Sequence, residues 1–177
     1  MRRRERELTP FAHVVEQVTL YEFKSSEVAQ ALPHPAIMHS LYQSGCMTEK
    51  DRLRMELAFD EALTNSLEHG NLELESGWKE EIDENGLDLF TRRRRERLAD
   101  PMYADRKIIL RTEYRGSKLT IRITDNGKGF PGARKKGKKS SATLQSHGRG
   151  LSIIDTMMDE VSYAKGGREI IMVKSFK

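Results

Sequence analysis

The order of elements along this 177-residue chain predicts an α+β fold, a two-layer α/β sandwich. Its mixed or antiparallel sheet would be covered by helices on one face. Three observations carry that expectation. Two central segments, Arg106 to Tyr114 and Lys118 to Thr124, alternate apolar and polar residues around Arg115-Gly116-Ser117, the pattern of a hairpin. Upstream, Leu53, Leu57, Leu63 and Leu67, joined by Phe59 and Ala62, recur at roughly helical spacing. A helix through Leu151, Ile154, Met157 and Met158, followed by another strand pair, closes the chain.

The length suits one domain spanning 1–177, long enough to bury a core. With 37% hydrophobic and 33% charged residues, the composition is that of a globular chain with a heavily charged surface. No apolar run approaches the ~18 residues of a membrane span, and no signal-like segment opens the chain. Cys46 is the single cysteine, which excludes an intrachain disulfide and a Cys-rich zinc site, and a cytoplasmic location is expected. The net charge of +4 is concentrated in Arg2 to Arg4, Arg92 to Arg95 and Arg134 to Lys139. Such runs read as solvated surface before they read as a nucleic-acid site.

In order, residues 1–12 form a charged arm and Glu16 to Phe23 an edge strand. Ser25-Ser26-Glu27 can cap a helix that Pro33 and Pro35 interrupt, and a second helical piece runs from Ala36 to Gln43. Thr48, with Asp51 three residues on, caps a helix of ~20 residues from about Glu49 to His69. Gly70 sits where a left-handed residue would end it, and His69 can soften the negative end of its dipole. Residues 72–107 read as an insertion, with a helix between Gly86 and Ala99 that faces Leu87, Phe90 and Leu98 inward and stops at Asp100-Pro101. Residues 130–147 are rich in Gly, Lys, Arg and Ser, without periodicity, and read as a mobile loop. The last strands are Val161 to Ala164 and Glu169 to Phe176, joined across Lys165-Gly166-Gly167.

Glu61 and Asn65 stand four residues apart, so both side chains leave one helix face. A carboxylate there can take a proton, and an amide oxygen can ligate a hard cation. Asn126-Gly127 suits a type I′ hairpin turn, yet no partner strand follows immediately. In the alternative, Gly127 and Gly129 admit a flat group close to the backbone, and Asp125 accepts from an exocyclic amino group. Gly148-Arg149-Gly150 opens a helix whose free N–H groups favour an anion. A Rossmann fingerprint is excluded, because no strand directly precedes it and Ile153 stands where a third glycine belongs.

Together, Glu61-x-x-x-Asn65, Asp125-x-Gly127-x-Gly129 and Gly148-x-Gly150-Leu151 resemble the N, G1 and G2 boxes of the GHKL ATPase superfamily, over nearly all of the chain from Glu16 to Phe176. The run Asp60 to Asn71, and Met157-Met158-Asp159-Glu160-Val161 after the third box, look most like its anti-sigma-factor serine/threonine-kinase branch. Glu68 stands where histidine-kinase N boxes carry lysine, and Arg168 follows Gly167 where the branch has threonine. The resemblance implies ATP and Mg²⁺ as cofactors, Glu61 as general base and Asn65 as metal ligand. It also implies an Asp125 contact to adenine, a pocket shaped by Gly127 and Gly129, phosphates along Gly148, Arg149, Gly150 and Leu151, His69 beside the nucleotide, and 130–147 as an ATP lid. The implied partner is a small anti-anti-sigma-like protein phosphorylated on Ser or Thr, with a sequestered sigma factor and a homodimer also expected. The alternatives are an ATP-switched binding module without catalysis and a histidine-kinase-like ATPase domain acting in trans.

Overall fold

A sheet in which every second side chain is apolar must cover that side, and here the cover is helical. The computed structural model describes residues 14–84, 86–129 and 149–176. The expected arm at 1–12 and loop at 130–147, with Gly148, lie outside the described residues. The sheet is antiparallel at every pairing, in the order β1-β2-β3-β5-β4, with β1 Glu16–Lys24, β2 Lys107–Arg115, β3 Lys118–Thr124, β4 Glu160–Ala164 and β5 Glu169–Ser175. The expected hairpin is present, with Leu110 opposite Ile123 and Thr112 opposite Ile121. Ile108, Leu110, Leu119, Ile121, Ile123 and Met172 are fully buried beneath the helices.

In β1 the inward face is Tyr21 and Phe23, half-buried, whereas Val18 and Leu20 point outward at 45% and 65% exposure. The helices α1 Ser25–Gln30, α2 His34–Gln43 and α3 Glu49–Asn65 follow β1. Ser25 does not cap α1. The Glu27 carboxylate accepts from the Lys24 N–H at 2.7 Å, while the Ser25 hydroxyl donates to the Arg106 carbonyl. The interruption expected at the prolines separates α1 from α2, and Pro35 sits in the first turn of α2, where a proline gives up an N–H that has no helical acceptor. Thr48 caps α3 as expected, accepting from the Asp51 N–H at 3.2 Å.

Two expectations for α3 are corrected. Its buried face is Met55, Ala58, Phe59, Ala62 and Leu63, whereas Leu53 and Leu57 are 53% and 51% exposed. These two leucines lie on the i, i+4 row of Glu61 and Asn65, which faces away from the core. Nor does the helix stop at Gly70. From Ser66 to Asn71 it continues as a π-helical turn, closed by the Leu72 N–H donating to the Leu67 carbonyl at 2.8 Å. Gly70 lies inside this turn without a left-handed φ.

The 72–107 segment is folded. Leu72 and Leu74 enter the core, a 3₁₀ turn covers Ser76–Lys79, and α4 Leu89–Ala99 and α5 Pro101–Ala104 complete it. Asp88 caps α4 through the Thr91 N–H at 2.7 Å, and Phe90 is buried. Several arginines of α4 are engaged within the fold. Arg94 pairs with Glu68, Arg93 pairs with Glu96, and Arg97 donates to the Leu72 carbonyl between the rings of Trp78 and Tyr103. The last helix, α6 Arg149–Met157, packs Ile154 onto the core beside α3.

Candidate functional site

Between α3, the π turn, α6 and the β4–β5 end of the sheet lies a cavity of about 980 Å³, at the upper end of the range for small-molecule sites. Seven of the expected residues line it: Glu61, Asn65, His69, Asp125, Gly129, Gly150 and Leu151. Ala62, Tyr163 and Ile170 give it an apolar wall. Arg149 opens α6, so the chain runs directly from this cavity into the helix.

Glu61 and Asn65 are held one turn apart at the end of α3, facing the first turn of α6. A Cβ placed on Gly150 would fall on Glu61 Oε2 and lie 3.2 Å from its Cδ and 3.7 Å from Asn65 Nδ2. The glycine is therefore what lets the α6 backbone approach the carboxylate.

The opposite end is built by reciprocal close packing. A Cβ on Gly70 would lie 2.5 Å from Asp125 Cγ, and one on Gly127 would lie 2.6 Å from the Gly70 carbonyl carbon. Gly127 does not line the cavity. Its missing side chain makes room for the backbone of the π turn at Gly70. Gly129, with φ +72°, combines a left-handed conformation with a backbone-to-backbone approach to the Gly166 carbonyl. Asn126-Gly127 is thus no hairpin turn, since the chain turns beneath the helix end.

Asp125 is the buried acid of the site. Its Oδ1 accepts the Gly127 N–H at 2.8 Å. Burial pushes its pKa up to about 6, against the opposing pull of that N–H and of Arg168 and Arg106. Arg168, which replaces the expected threonine, accepts the Asp125 N–H on its carbonyl at 2.9 Å and donates from Nε to the Lys165 carbonyl. His69 Nδ1 lies 2.7 Å from the Leu74 carbonyl, which can only accept, so Nδ1 carries the hydrogen.

Asn71 was quoted in the motif without a role, yet it joins the whole end of the site. Fully buried, it donates from Nδ2 to Ser25 Oγ at 3.0 Å and to the Lys107 carbonyl at 3.2 Å, and accepts the Asn126 N–H on Oδ1 at 2.7 Å. Arg106 adds a bond to the Asn71 carbonyl and an ion pair with Glu73, which also holds Lys128. Ser76 and Lys79 of the insertion, Tyr163 and Ile170 also line the cavity. Their partners lie far away in sequence, and only the run of polar residues after Gly70 hints at them.

The arrangement suits a nucleotide: a buried carboxylate acceptor at one end, an apolar wall, and a helix N-terminus beside an amide and a carboxylate at the other. Residues 25–174 match the family model described as the histidine kinase-like ATPase domain. The chain belongs to that family, and the five-stranded sheet with its helical layer is the family's ATP-binding architecture. Among curated proteins, none matches the chain. No helix among the described residues is long and apolar enough to cross a membrane. No group of three or more His, Cys, Asp and Glu among them could cage a metal. A cation here would take most of its ligands from phosphate and water, which is the habit of Mg²⁺.

Proposed function

We propose that this chain is an ATP- and Mg²⁺-dependent serine/threonine protein kinase of the anti-sigma-factor type. Its substrate would be a small regulatory protein, and a second partner would be sequestered when the kinase is free. The observation that carries the reading is the pairing of Glu61 with Asn65 in the cavity wall, the carboxylate lying against the first turn of α6. ATP would lie with its adenine amino group on the Asp125 carboxylate and its phosphates toward Gly148, Arg149 and Gly150. Glu61 accepts the proton of the incoming serine or threonine hydroxyl as its oxygen bonds to the γ-phosphorus. The bond from that phosphorus to the β-γ bridging oxygen breaks, and ADP leaves. Asn65 would hold Mg²⁺, whose charge neutralises the phosphates when bound. Phosphoryl transfer asks for positioning and charge neutralisation of this kind more than for covalent catalysis.

β1 leaves one long edge of the sheet unpaired among the described residues, and its exposed Val18 and Leu20 favour covering by a second copy in a homodimer. The decisive experiment is Glu61→Gln. The amide keeps the shape but cannot take the proton, so ATP and Mg²⁺ binding should persist while transfer falls ~10²–10⁴-fold. Asn65→Ala should lose both. Wild-type transfer by Glu61→Gln would remove the base role. A wild type that transfers no phosphate, yet binds a partner only with ATP, would make the protein a switch.

A further inference from the structure

The described lining of the cavity is electrostatically lopsided. It contains three carboxylates, Glu61, Asp125 and Glu68, the last paired with Arg94 from α4, and among the described lining side chains a single ammonium or guanidinium group, that of Lys79. A polyphosphate entering such a wall needs positive charge, and part of that charge must come from the protein. Lys79 belongs to none of the three motifs. It ends the Ser76–Lys79 turn of the insertion, brought to the cavity because Leu72 and Leu74 anchor the start of that segment in the core.

Lys79 is exposed and rests on an aromatic ring. The ammonium lies 4.4 Å from the centroid of the Phe90 ring, and Phe90 is buried at the start of α4. The same ring meets the His69 imidazole edge-on at 6.3 Å, and His69 is tied to the Leu74 carbonyl. His69, Phe90 and Lys79 thus form one continuous wall from the π turn into the insertion. This wall begins one residue before Gly70, the residue packed on Asp125, and four residues after Asn65. It borders the cavity at the π turn, where Asn65, His69 and Gly70 also line it. A lysine held by a ring face keeps its N–H donors available, since the ring satisfies charge but accepts no strong hydrogen bond. The Asp88 oxygens accept the Thr91 N–H and hydroxyl, which hold its carboxyl below the usual range, and Asp88 also feels the ammonium at coulombic range, which helps in the same direction.

We propose that Lys79 is a nucleotide-binding residue that contacts a phosphate shared by ADP and ATP, so that the insertion supplies a wall of the ATP site. The inference rests on the nucleotide reading of the cavity. Because the contact is to phosphate, it discriminates ADP and ATP from adenosine. It is also screened by salt.

The test is calorimetric titration of the full chain with ATP, ADP and adenosine, in wild type, Lys79→Met and Lys79→Arg. Methionine keeps an apolar stem on Phe90 and arginine keeps the charge. Expected is ~10-fold weaker binding of both ADP and ATP by Lys79→Met, of the order of one charge-assisted hydrogen bond at an exposed site. Adenosine affinity should be unchanged, Lys79→Arg should retain most of the nucleotide affinity, and the loss should shrink in high salt. Wild-type ATP and ADP affinity in Lys79→Met would overturn this inference alone. An equal loss for adenosine would also overturn it, since the residue would then shape the wall without touching phosphate. No ATP binding by wild type would overturn the nucleotide reading and this inference with it.

Discussion

Gly127→Ala tests whether the two ends of the site are fitted by backbone contact. An added Cβ would lie 2.6 Å from the Gly70 carbonyl carbon and 2.9 Å from its Cα, with the carbonyl oxygen nearer still. Nonbonded heavy atoms rest at ~3.5 Å, so a shift approaching 1 Å is required. Neither side is free to make it. The Gly70 carbonyl accepts the Glu73 N–H at 3.2 Å, and Gly70 is itself packed on Asp125. The Asn126 N–H is held by Asn71 at 2.7 Å. Overpacking of this kind costs about 1–3 kcal/mol, and loss of the Asn71 bond adds about 1 kcal/mol. Alanine returns only ~0.4–1 kcal/mol through the unfolded chain. The net loss of about 1–3.6 kcal/mol should lower the melting temperature by roughly 2–14 °C for a chain of this size. The assay is thermal unfolding without nucleotide, with Gly77→Ala as control. Gly77 has nothing within 4 Å of a built Cβ and a φ any residue can adopt. If both variants melt within a degree of wild type, the backbone-fitting argument is wrong.

Two further outcomes follow from the same geometry. With a folded pKa of about 6, raised by burial, Asp125 favours its protonated form in the native state, so its contribution to stability is greatest below the unfolded value near 4 and is lost as pH rises through 6. ATP affinity should run the other way, falling as pH drops below 6 because the acceptor carboxylate takes a proton; calorimetry from pH 5 to 8 should show this slope in wild type and not in Asp125→Asn, and equal slopes would remove Asp125 from the adenine contact. Gly150→Ala meets only the far end of the Glu61 side chain, so its melting temperature should stay near that of wild type while phosphotransfer to a partner falls at least tenfold, by roughly the 1.4 kcal/mol that factor represents; full activity in that variant would show that the carboxylate need not lie against α6.

The strands were legible because burial on one face writes itself into alternate residues, and Lys118–Thr124 is recovered residue for residue. The α3 face was harder. Leu53 and Leu57 outweigh Met55 and Ala58 in apolarity, and only the packing partner decides which row turns inward. Gly70 could not be read at all. A glycine after a helical run signals a stop by local rules, whereas its actual reason is Asp125, 55 residues away. Glu61, Asn65 and Asp125 were legible as a constellation since each brings chemistry of its own. The network around Asn71 was not, because an asparagine acquires its partners only from what the fold sets beside it.

The π-helical turn from Ser66 to Asn71 works as a phase correction. An i to i+5 ring accommodates one residue more than the α-helical path, so it advances the azimuth of everything beyond it relative to α3. Straight α-helix would rotate ~100° for each residue gained or lost, turning Gly70 and Asn71 away from the Asp125 loop while Glu61 and Asn65 stayed in place. The two halves of the cavity are thus read from one helix at two angular settings, and a single residue of chain length sets the offset between them.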